Sequence, residues 1–200
     1  MIEWFAAHYW ETGIVTFFLM WSDWLLTILQ ERERVLHYAE RYQSYPVNTI
    51  EGHPLYQSAV KGRRIAEPKH LIPALILSVL VAYALVLIRS ETFAVAFIGY
   101  VWGLFLIVDM IHIGNLLGYR AGRHGLHGKI LMHQRTGYLI QMGRYVALAA
   151  FLIVLAACSA SPFIMGVAFA GVTSAGRQLL WLRRIPAIDS ADEPPSTLQS

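Results

Sequence analysis

The chain has 200 residues, of which 56% are hydrophobic and 14% charged, with a formal net charge of +3 and a mean hydropathy of +0.46. That balance lies outside the soluble globular range and makes lipid the solvent for most of the chain. A net charge this small, with its basic residues spread over several connections, excludes a nucleic-acid footprint. The single cysteine, Cys158, excludes an intramolecular disulfide and a multi-cysteine zinc site, and reads as a packing residue.

Met1 to Trp10 contains Glu3 but no Lys or Arg, so the basic flank of a secretory signal is missing. The first apolar segment, about residues 10–29, is therefore expected to stay in the mature protein as span one, being long enough to cross a hydrocarbon core of ~30 Å. Its polar residues Thr12, Thr16, Asp23, Thr27 and Gln30 recur on one stripe, which predicts a face turned toward protein. Residues 30–70 turn charged and aromatic. Glu31, Arg32, Glu33 and Arg34 continue the helix out of the membrane until Tyr45-Pro46 stops it, because the residue before a proline is driven out of the helical region.

Residues 71–88 are apolar apart from Ser78 and Tyr83 and are expected to form the most lipid-exposed span. Arg89-Ser90-Glu91 is a tight turn into span three, 92–119, which is polar only in its last third. A basic connection rich in Gly and His, with His124, His127 and His133, follows over 120–135, its second half expected to be helical already. Span four covers 136–158. Span five covers 163–182 and carries Gly166, Ala170 and Ser174 at four-residue steps, a spacing that permits close helix contact. The tail 185–200 is polar, with three prolines and three acidic residues, and reads as flexible.

The fold expected is an all-α integral membrane protein, a five-span helical bundle forming a single membrane domain over 1–200, with a helix-turn segment between spans one and two. Arg32, Arg34, Arg41, Lys61, Arg63, Arg64 and Lys69, then Arg120, Arg123, Lys129 and Arg135, then Arg183 and Arg184, all fall on one side of such a topology, against Arg89 on the other. The positive-inside rule then puts the N-terminus outside and the C-terminus in the cytoplasm, in the cell (inner) membrane. The basic connections are expected to meet anionic lipid head groups, each charge contributing about 1 kcal/mol. So small a bundle is also expected to form a homo-oligomer or join a membrane complex.

In this orientation Asp23, Thr27, Asp109, His112, Asn115, Gln141, Arg144 and Arg177 all fall in the inner leaflet, from four of the five spans. Ionisable residues inside a span each cost roughly 2.5 to 3.5 kcal/mol on insertion scales and mark a site by default. The layer fits three kinds of function. As a cytoplasm-facing cavity it binds or conducts an ion or small polar solute, as channels and transporters do. As a structural lock, Asp23 and Asp109 pair with Arg144 and Arg177, giving an accessory or scaffold subunit. As an enzyme, a carboxylate and imidazole act as acid and base on a lipid phosphate clamped by the two arginines. Asp109 and His112 share a helix face and fit a divalent metal only if Asp23, or Glu51 and His53, join them; Asn48, Glu51 and His53 form a possible lid over the layer. No phosphate loop, nucleophile elbow or dinucleotide fingerprint is present, there is no intramembrane lysine for a retinal, and no cofactor is assigned.

Overall fold

The structure, a computed structural model, describes residues 2–37, 42–45, 50–51, 54–125 and 130–184. The expected spans emerge as helices that overshoot the apolar segments at their ends. Helix α1 (Ile2–Ala7) breaks at His8 and continues as α2 (Tyr9–His37), where Thr12 Oγ donates back to the Phe5 carbonyl (2.7 Å) and bridges the break. Then come α3 (Pro54–Lys61), α4 (Pro68–Leu87), α5 (Glu91–Gly125), α6 (Gln134–Ser159) and α7 (Pro162–Leu182). Five of these, α2, α4, α5, α6 and α7, are long and apolar enough to cross a membrane. Proline opens both α4 and α7, where its missing N–H leaves no bond unmade. Arg177 does not interrupt α7, which runs as one helix of 21 residues.

The spine is α5. One face packs Ala94, Ile98, Val101 and Trp102 against Val81 and Leu85 of α4 and the partly buried Val15 and Leu19 of α2. The other face packs Ile107 against Tyr145 of α6 and Ala170 of α7. The small residues expected to permit close contact on α7 do so against α5. Cβ atoms built at Gly99 and Gly166 would collide with the Phe163 and Ala96 carbonyls, and one at Gly103 would lie 3.0 Å from the Ala170 Cβ. The helices therefore run α4, α2, α5, α7, α6 across the molecule, and α6 sits at its edge, packed mainly on α7. The least buried span is α6, not α4 as its composition suggested. The reason is that Ser78, Ala74 and Ala82 give α4 a narrow buried stripe on α2, while α6, at the edge, packs mainly on α7.

Two features lie at the end of the bundle away from the α4–α5 and α6–α7 turns. Helix α3 seats Ala59 and Val60 on Trp24 and Ile28 of α2, and Trp24 Nε1 donates to the Arg64 and Ile65 carbonyls (3.1 Å each). Strands β1 (Tyr42–Tyr45) and β2 (Ile130–His133) pair in parallel, Tyr42 opposite Ile130 through Tyr45 opposite His133. This short ribbon is an addition to the all-helical expectation, and it replaces the helix expected over the second half of 120–135.

Candidate functional site

The polar stripe of α2 and the polar end of α5 meet. Thr12, Thr16, Thr27 and Gln30 are buried, and Trp102 Nε1 of α5 donates to Thr16 Oγ (3.0 Å). Nearly three turns farther along α5, His112 lies among three α2 side chains. Its Nε2 is 3.0 Å from Asp23 Oδ1 and 3.4 Å from Thr27 Oγ, and its Nδ1 is in close contact with Gln30 Nε2. The Thr27 hydroxyl donates to the Asp23 carbonyl (3.0 Å), so toward His112 it accepts, as Asp23 does. Nε2 thus carries a proton, and the ring is oriented by all three partners.

Asp109 stands one turn before His112. Its Oδ2 accepts from Ser22 Oγ at 2.6 Å, a short bond, while Oδ1 is buried without a partner among the described residues and the residue is only 8% exposed. Asp23 and His112 both act on it electrostatically. The α2–α5 interface therefore holds two carboxylates and one imidazole, with no guanidinium or ammonium bonded to any of them among the described residues.

The arginines are elsewhere, which corrects the expected salt-bridge layer. Arg144 Nη1 donates to Asn115 Oδ1 (2.7 Å), and neither Arg144 nor Arg177 forms an ion pair among the described residues. Gln141 interacts with Tyr145 of its own helix, as does Gln178 of α7, and both Arg177 and Asp23 lie in the field of the same phenol. The reason is the order of the helices: α6 packs mainly on α7, so its polar residues stand beside α7 and not against α2. Acidic groups sit on the α2 side of α5 and basic groups on the α6–α7 side. Ser174 Oγ and Gln178 Oε1, buried on α7, also lack partners among the described residues.

Among the described residues no group of three His, Cys, Asp or Glu side chains is placed to hold a metal ion. Of the proposed lid, Asn48 and His53 lie outside the described residues. Glu51 is half-buried, its carbonyl accepting from Gln57 Nε2 (3.2 Å), and the neighbouring Ile50 N–H donates to Glu31 Oε2 (3.2 Å) one residue beyond Gln30. Glu31 is itself buried and held by both Nε and Nη2 of Arg34 at 2.9 and 2.8 Å. Sequence reasoning missed Ser22, Tyr145, Ser174 and Gln178 as members of the layer and left Gln30 out of the site. Gln30 and Gln178 had a signal, each lying three or four residues from a small polar residue on its helix; Ser22 sits beside the stripe and had none.

No protein family, curated protein or solved structure matches the chain.

Proposed function

We propose that this chain is a multi-pass protein of the cell membrane whose α2–α5 polar layer binds a proton or small monovalent cation and passes it toward the cytoplasm-facing end. The observation that carries the reading is Asp109 Oδ1, a buried carboxylate oxygen with no donor among the described residues. Beside it is Asp23, whose one ion-pair contact among the described residues is the imidazole of His112. Two like charges in a low dielectric with no cation between them are costly, and a site short of positive charge draws a cation in, the proton being the smallest. His112 offers a second proton position through Nδ1, and occupying it requires the Gln30 amide to turn its oxygen to the ring.

The basic connections support a cytoplasmic placement of this end of the bundle. The β1–β2 ribbon supports one shared side for the 30–70 and 120–135 connections, since strands can pair only if α4 and α5 cross and return.

The test is flux in liposomes loaded with a pH-sensitive dye, under imposed proton, sodium and potassium gradients. Wild type is expected to dissipate at least one gradient. Asp109→Asn, folded by circular dichroism and monodisperse, is expected to lose that flux by tenfold or more; flux at the wild-type level in this variant overturns the reading. A scaffold role is the second reading, because both Ser22–Asp109 and Asp23–His112 tie α2 to α5. Wild type without flux, combined with a lower melting temperature on Asp23→Asn, would favour it.

A further inference from the structure

The carboxylate side of the layer lacks a cation, and the arginine side lacks an anion. Arg144 and Arg177 are each fifteen residues from the turn that joins α6 to α7, so they lie at one level on antiparallel neighbours, about 22 Å from that turn. In a core ~30 Å thick this leaves about 8 Å to the far boundary, most of which an arginine side chain covers by snorkelling. Both side chains are exposed on the surface of the bundle, which at this depth faces lipid and head groups. Asn115 fixes one guanidinium nitrogen of Arg144 but supplies no charge, and no carboxylate reaches either arginine among the described residues.

We propose that Arg144 and Arg177 form a seat for the phosphate of one anionic phospholipid, held at the edge of the α6–α7 hairpin. Guanidinium forks match phosphate oxygens two at a time, and the phosphate supplies the negative charge that the segregated layer withholds from this side. Asn115 is the positioning residue that presents Arg144. The seat is independent of the cation reading, because it uses none of Asp23, Asp109 or His112.

The test is native mass spectrometry of the full chain in a neutral detergent titrated with phosphatidylglycerol, phosphatidylcholine or inorganic phosphate. Wild type is expected to retain one phosphatidylglycerol in preference to phosphatidylcholine. Arg144→Gln and Arg177→Gln are each expected to weaken retention about tenfold, the value of a lost charged hydrogen bond. Arg89→Gln, exposed in the α4–α5 turn at the other end of the bundle, should leave it unchanged. Should a glutamine variant fail to fold, Arg144→Lys and Arg177→Lys carry the test, with a several-fold loss expected from the lost fork. Equal retention of phosphatidylcholine, undiminished retention in the arginine variants, or inorganic phosphate displacing the lipid at equal concentration would each overturn the proposal.

Discussion

His112 is the residue on which the acidic half of the layer turns, and its surroundings make separable demands. Replacing it with leucine removes the donor to Asp23, whose side chain is 29% exposed, so the loss should be discounted from that of a fully buried pair to about 1–2 kcal/mol. Denaturation of His112→Leu in detergent should show this drop, and Asp23→Asn in the same background should recover part of it. Nitrogen NMR of selectively labelled protein should find a proton on Nε2 of His112; a bare Nε2 would mean that the ring does not donate to Asp23. Asp23, Asp109 and His112 were visible in the sequence because charged residues stand out in an apolar span. Their partners were not. Depth along a helix can be counted from the sequence, but which helices lie side by side is decided by packing that no local pattern records. That is why Arg144 and Arg177 looked like the natural counterions of Asp23 and Asp109.

At the scale of elements, the close crossing of α5 and α7 rests on the absence of side chains. Gly166→Ala forces a methyl into the Ala96 carbonyl and should cost about 1–3 kcal/mol, as overpacked cores do. Gly114→Ala on the same spine meets nothing within 4 Å and should be neutral or stabilising by roughly 0.5–1 kcal/mol. Thermal melts of the two variants check the pair. The four-residue spacing of Gly166, Ala170 and Ser174 foretold a tight contact but not its partner. Composition misled in one place: α4 is the more uniformly apolar helix, yet α6 is the more exposed, because an edge position depends on topology and not on hydropathy.

For the whole molecule, the sidedness inferred from the basic connections can be read directly. In a Cys158→Ser background, Lys61→Cys on α3 should react with a membrane-impermeant maleimide only from the cytoplasmic face, and Ser90→Cys, in the α4–α5 turn, only from outside; the opposite pattern would invert the topology. The parallel ribbon bears on the order in which the molecule is made. Strand β1 precedes α4 and strand β2 follows α5 in the chain, so their pairing must wait until both helices have been made. During synthesis the β1 segment is therefore an open edge for as long as α4 and α5 take to emerge. Its closure by β2 can come no sooner than the third of the long helices, and it needs nothing from α7.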